Sequence, residues 1–175
     1  MNFYDVLDSI KNQIIYLHSD NEILLPTKEI NLNLSTKEFD VKIPINTSNL
    51  KEILGLLNYS LKDATIISWK IKNIKSHILK SIKANFVLNN LYDLNILESY
   101  SGIFKNKPIS FTEAISRFQS LSKLPNWQDN IKVYKNVFID LFDTLSEMES
   151  IGVIHKTKKI KLFSHYEIDG QINGR

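Results

Sequence analysis

The chain has 175 residues, 43% of them hydrophobic, which is enough to bury a full core, and one domain is the default count at this length. Its net charge of +3 is mildly basic and almost all lysine, only Arg117 and Arg175 being arginines; with Ile and Asn abundant, this bias reads as genome composition rather than as a binding surface. The absence of cysteine excludes disulfides and thiolate metal sites, the first ten residues lack the basic start of a signal peptide, and no apolar run approaches the roughly 18 residues of a membrane span, so a soluble intracellular protein is expected.

Ile14-Ile15-Tyr16-Leu17 is a short apolar run and the first candidate strand. Ile30, Leu32 and Leu34 alternate with polar residues, as do Phe39, Val41, Ile43 and Ile45; period 2 on both sides of the polar link 35–38 predicts an antiparallel hairpin with one buried face. Pro44 places its strand at an edge or marks its end. Asn46-Thr47-Ser48-Asn49 supplies N-cap chemistry for a helix carrying Leu50, Ile53, Leu54 and Leu57. Ala64 to Ser68 is a β-branched run, followed by helical spacing through Ile71, Ile74, Ile78 and Ile82. Phe86 to Leu91 reads as a further strand, ending at Tyr92-Asp93, and a helix through Ile96, Leu97 and Tyr100 stops near Gly102.

The last third is helical. Ser110-Phe111-Thr112-Glu113 fits a capping box, and Pro125 breaks the helix it starts. Tyr134, Phe138, Leu141, Leu145 and Met148 then recur at four, three, four and three residues, one stripe along a helix from about Ile131 to Ile151 that Gly152 ends. The stripe is expected to pack against the domain along its length. Strands alternating with helices after an initial hairpin indicate an α/β fold on a mixed sheet with flanking helices, and the order β-β-β-α-β-α-β-α is that of the ribonuclease H-like fold.

Little of the usual catalytic vocabulary is present. His18, His77, His155 and His165 show no paired spacing for a metal helix, and five glycines supply no phosphate loop. Trp69, Trp127, Tyr92 and Tyr100 could stack on bases, but each sits on an apolar pattern and reads first as packing. Lys156-Thr157-Lys158-Lys159-Ile160-Lys161 is the densest basic run, by default a solvated linker.

Two motifs carry a family resemblance: Met148-Glu149-Ser150-Ile151-Gly152-Val153 and, after the Lys-rich connector, Gly170-Gln171-Ile172-Asn173-Gly174-Arg175. That order resembles the family A DNA polymerases of phage-like type, whose 3′–5′ exonuclease-like domain runs through a Met-Glu-x-x-Gly-Val helix to a Gly-x-x-Thr-Gly-Arg turn. The resemblance extends from about Ile14 to Arg175. It implies a degenerate exonuclease-like (ribonuclease H-like) domain over 1–125, then a connecting helix and the start of a polymerase domain over 126–175. On this reading the chain is the front part of a polymerase acting in DNA replication in the cytoplasm of a bacterium or phage-infected cell. It would not be catalytic alone.

The family holds two metal ions with carboxylates from several strands. Asp20-Asn21-Glu22 is similar to its Asp-x-Glu motif, which makes Asp20 and Glu22 weak catalytic candidates. In the second motif Lys70 stands where Asn is expected and Ile74 where the metal-binding Asp is expected; an Ile cannot ligate a hard cation. Tyr92-Asp93 through Tyr100 resembles the next strand and helix, whose Asp is structural in the family. No copy of the third motif, Tyr-x-x-x-Asp, lies between Gly102 and Tyr134, and Tyr134 itself is followed by Phe138 at the needed offset. The expectation is a vestigial exonuclease without metal ligands or cofactor, Mg²⁺ belonging to the full polymerase.

By the same resemblance Arg175 would reach the minor-groove side of a primer end, beside Gln171 and Asn173, and Lys158, Lys159 and Lys161 would touch phosphates. The implied partners are primer–template DNA and the remainder of the polymerase chain, with no membrane. One departure is that residues 153–164 leave no room for the family's helical thumb. The other reading is a stand-alone nuclease-fold module that binds or scaffolds a protein partner.

Overall fold

In the computed structural model the described residues are 3–20, 29–46, 48–82, 86–141, 144, 145 and 148. Helix α1 (Phe3–Ser9) leads into strand β1 (Ile14–Ser19), and the alternating runs form β2 (Glu29–Ser35) and β3 (Asp40–Asn46). Thr36 closes the β2–β3 turn, its hydroxyl accepting from Glu38 N and Phe39 N. Next come helix α2 (Leu50–Ser60), β4 (Thr65–Ser68), α3 (Ile71–Ile82), β5 (Leu91–Asp93) and α4 (Leu94–Tyr100). Helices α5 (Phe111–Ser122) and α6 (Trp127–Val133) and a π-helical turn (Tyr134–Phe138) follow.

One five-stranded sheet has the order β3-β2-β1-β4-β5. β1–β2 and β2–β3 pair antiparallel, whereas β1–β4 and β4–β5 are parallel. The architecture is therefore α/β with a mixed sheet and flanking helices, and β3, with Pro44, is an edge strand.

Register sorts the side chains. Leu17 lies opposite Leu34 and Ser68, and Leu34 opposite Val41, so Ile15, Leu17, Leu32, Leu34, Ile43 and Ile66 share one face. All six are buried. The other face carries Tyr16, His18 and Ile67 but, on the hairpin, the polar Asn33, Ser35, Asp40 and Lys42. Tyr16 Oη donates to Pro108 O (3.1 Å), which ties the segment before α5 to this second face.

Two helix signals, Ser110 and Gly102, act as their chemistry requires. Ser110 caps α5, its Oγ accepting from Glu113 N (3.2 Å), while Glu113 Oε2 reaches back to Ile109 N (2.9 Å). Helix α4 ends in Gly102 at φ +74, with Gly102 N donating to Ser99 O and Ile103 N to Glu98 O, a Schellman closure.

Three expectations need correction. The strand expected over 86–91 is reduced to Leu91–Asp93; Phe86 and Leu88 are buried by their side chains without joining the ladder. Asn49 stands at the N-cap of α2 but makes no side-chain cap bond, and Asn46 instead accepts from Ser48 N and Asn49 N. The C-terminal helical run starts at Trp127, and its stripe is only partly packed. Tyr134 is buried, whereas Leu141 is 41% and Met148 55% exposed. The π turn is one residue longer per hydrogen-bonded loop than an α turn, which rotates Leu141, shortly after it, away from the face that Tyr134 sets.

Candidate functional site at the strand ends

The parallel strands β1, β4 and β5 end on the same side of the sheet, where open α/β folds place their ligands. Each end carries a residue singled out by sequence: Asp20 after β1, Lys70 after β4 and Asp93 in β5.

Asp93 is 1% exposed and caps two helices at once. Its carboxylate accepts from Asn95 N (2.9 Å) and Ile96 N (3.4 Å) of α4, and from Ile71 N (2.7 Å) and Lys70 N (3.3 Å) at the start of α3. Lys70 reaches this position with φ 54. Burial pushes the Asp93 carboxyl up to about 6, against the pull of those amides. Tyr134 Oη accepts from Asp93 N (2.8 Å), and burial followed by the Asp93 charge raises its phenol. Opposite Asp93 in register, Ser68 Oγ is buried and has no hydrogen-bond partner among the described residues. Ile74, at the place of the expected metal-binding Asp, is 3% exposed within the core.

Asp20 lies on the other side of the sheet, among the polar residues of the hairpin. It accepts from Asn33 Nδ2 (2.6 Å) and pairs with Lys42 Nζ (2.7 Å), both groups well exposed. Lys42 first, then Asn33, holds its carboxyl below the usual range. A cavity of about 280 Å³ is lined there by His18, Asp20, Asn33, Ser35, Asp40 and Lys42. His18 is half-buried against the Tyr16 ring (4.7 Å between centroids), and burial, then the Lys107 charge, lowers its imidazole to about 4. It is neutral at pH 7.

The sheet thus separates the two carboxylates, since register puts Asp93 on the face of Leu17 and Asp20 bonds to side chains of the opposite face. Among the described residues no three His, Asp or Glu side chains gather to hold a metal ion. Glu22 lies outside the described residues, as do Lys158, Lys159, Lys161, Gln171, Asn173 and Arg175.

A third ionic cluster had no sequence signal beyond one arginine in a lysine-rich chain. Glu98 and Arg117, 2% and 6% exposed, form a two-pronged pair in which Nε donates to Oε1 (2.8 Å) and Nη2 to Oε2. Arg117 also bonds Asn106 O (2.7 Å) and lies over the Trp69 ring (5.3 Å). Trp69 is therefore packing, as its apolar setting suggested, and Trp127 meets Phe118 edge-on (5.6 Å). Tyr92 is half-buried between Phe118 and Tyr134, and Tyr100 is 49% exposed beside Phe138.

No family model matches the chain, and no curated protein or solved structure matches it either. Among the described residues no helix is long and apolar enough to cross a membrane.

Proposed function

We propose that the chain is the degenerate exonuclease-like region at the front of a family A DNA polymerase, with a ribonuclease H-like fold serving as scaffold rather than nuclease. The observation that carries this reading is the mixed sheet. An antiparallel β1–β2–β3 set followed by parallel β4 and β5 appears in the chain order that the resemblance requires. The side chains support loss of cleavage: Ile74 is core, Asp93 is spent on two helix caps and Asp20 is tied to Lys42. The polymerase assignment itself rests on the motifs at 148–153 and 170–175, through which Arg175 and the lysines of 156–161 would meet primer–template DNA.

Incubating the protein with single-stranded DNA and Mg²⁺ or Mn²⁺ tests the scaffold reading, and the expected result is intact substrate. Degradation that disappears on Asp20→Ala would overturn it. A reading frame that continues past Arg175 into an acidic Asp-x-Ser-x-x-Glu motif is expected for the polymerase.

One observation favours the alternative of a stand-alone scaffolding module. A groove of about 700 Å³ lies against edge strand β3, lined by Val6, Phe39, Val41, Ile43, Ile53 and Leu56. An extended peptide could add to that edge. A natural stop codon directly after Arg175 would favour this second reading.

A further inference from the structure

Residues 103–109 join α4 to α5 with neither helix nor strand, yet side chains and backbone of the folded body hold them at successive points. Ile103 N donates to Glu98 O (2.8 Å), Arg117 Nη1 to Asn106 O (2.7 Å) and Lys107 Nζ to Ser19 O (3.0 Å). Tyr16 Oη donates to Pro108 O (3.1 Å), and Ile109 N to Glu113 Oε2 (2.9 Å). Tyr16 and Arg117 are themselves buried, so the connector is fixed from inside the core.

This fixed loop presents an apolar surface. Phe104 is 82% and Ile109 94% exposed. Ile109 precedes the N-cap of α5, a position from which an apolar residue ordinarily folds back on the helix, and here it points to water instead. Lys105 and Lys107 alternate between them, and Lys105 is exposed. An aromatic ring and an aliphatic side chain held out by a pinned loop, with the exposed Lys105 ammonium between, have the chemistry of base stacking combined with phosphate neutralisation. A protein-binding apolar tip would be expected to exclude lysine from its centre.

We propose that the 104–109 loop binds single-stranded nucleic acid, with Phe104 stacking on a base and the exposed Lys105 meeting an adjacent phosphate, while Lys107 stays the tether to Ser19 O. Ile109 and Ser110 also border the small polar cavity, so Asn33 and Ser35 lie next to the strand's path and can meet base edges, whereas Lys42 stays paired with Asp20 and the cavity, which Asp40 also lines, takes no phosphate. The proposed site uses none of the C-terminal residues assigned to DNA by the resemblance and does not depend on the polymerase reading.

Fluorescence anisotropy of a labelled oligothymidylate with the full-length chain tests it. Phe104→Ala should weaken binding at least about fivefold, the range for losing one stacked base, and Phe104→Trp should preserve it. Lys105→Ala should reduce the slope of log affinity against log salt by about 0.7. Because Phe104 is exposed, its alanine variant should melt with the parent, which removes misfolding as an explanation. With Lys158, Lys159, Lys161 and Arg175 changed together to alanine, the Phe104-dependent part of binding should remain. Equal affinity of parent and Phe104→Ala, or no binding by either, overturns the inference. So does a Phe104→Ala variant that loses retention on phosphatidylserine-containing vesicles while binding the oligonucleotide normally. Binding abolished by the four C-terminal changes and indifferent to Phe104→Ala would sink this site and leave the polymerase reading standing.

Discussion

Asp93 and Asp20 sit at the ends of strands in one sheet and are held in opposite ways. Asp93 is enclosed, gives its lone pairs to four backbone amides and locks two helix starts to β5. Asp20 stands in solvent and shares its charge with Lys42 and Asn33. A buried carboxylate that loses its role strands its donors without water, whereas an exposed one hands its partners back to solvent. An aspartate at a strand end is therefore not in itself a sign of chemistry. Asp93 has the stronger pKa displacement, and the geometry around it is that of a fastener.

The largest effect is expected where a buried charge would be left alone. Arg117→Ala removes the partner of Glu98 and should destabilise the protein by about 3–5 kcal/mol in urea melts. Asp93→Ala should come next at about 3 kcal/mol, since two helices lose a cap together, and Asp93→Asn should recover part of that because its amide oxygen still accepts. Values below about 1 kcal/mol for either alanine variant would erase the contrast with Asp20.

Acidity separates the two faces of the sheet. The folded Asp93 carboxyl, at about 6, lies above its ordinary 3.8, so the folded state holds its proton more tightly. Its contribution to stability is full below about 3.8 and is lost as pH rises to about 6, a change on the order of 2–3 kcal/mol. His18 works the other way. Its folded value near 4 lies below 6.5, so its contribution is full above about 6.5 and is lost as pH falls toward 4. Half-exposure screens it to about 1 kcal/mol. Stability measured from pH 4 to 7 should therefore rise relative to the parent in Asp93→Asn as pH increases, and lose its acid-side decline in His18→Gln. Parallel curves for parent and both variants would show that neither group is displaced.

Much of the sheet was legible because a strand with one buried face writes period 2 into its sequence. Leu32-x-Leu34 and Val41-x-Ile43-x-Ile45 identified the hairpin, and Pro44 its edge position. Ser110 and Gly102 marked helix ends for reasons local to a few residues. The features that stayed hidden depend on partners far along the chain. Nothing near Glu98 announces Arg117, nineteen positions on, and nothing near Asp93 announces the Tyr134 hydroxyl, forty-one positions on. Helix α1 went unpredicted although Val6, Leu7 and Ile10 have helical spacing, being too short a run to stand out. Phe86 and Leu88 mislead because apolar character at alternate positions reports burial and not ladder pairing, Val87 between them being exposed. At the candidate site the sequence itself shows that Ile74 offers no oxygen to a metal, whereas the separation of Asp20 from Asp93 by the sheet requires the register.

The C-terminal stripe tests the same contrast between enclosed and open positions with apolar groups. Leu141 shares its sequence pattern with Tyr134 but is 41% exposed, so Leu141→Ala should cost under about 1 kcal/mol. That is well below the roughly 2–5 kcal/mol of an enclosed leucine. A cost in that higher range would place a cover over Leu141 and extend the packed part of the stripe past the π turn.

The smallest effect is expected at Asp20. Its side chain and that of Lys42 retain 43% and 55% of their exposure, and pairs of this kind rarely contribute more than about 1 kcal/mol. Asp20→Ala should shift the urea midpoint by less than the equivalent of about 0.5 kcal/mol, and raising salt should shrink even that. The Asn33 amide, released from Asp20, still reaches the His18 ring at 3.4 Å and water besides, so no buried donor is stranded. A double-mutant cycle with Lys42→Ala should give a coupling of a few tenths of a kcal/mol. A coupling above about 1.5 kcal/mol would mean that Asp20 is as firmly built in as Asp93. The polar end of the hairpin would then belong to the load the fold carries, and Asp20 could not be substituted in a nuclease test without disturbing the scaffold.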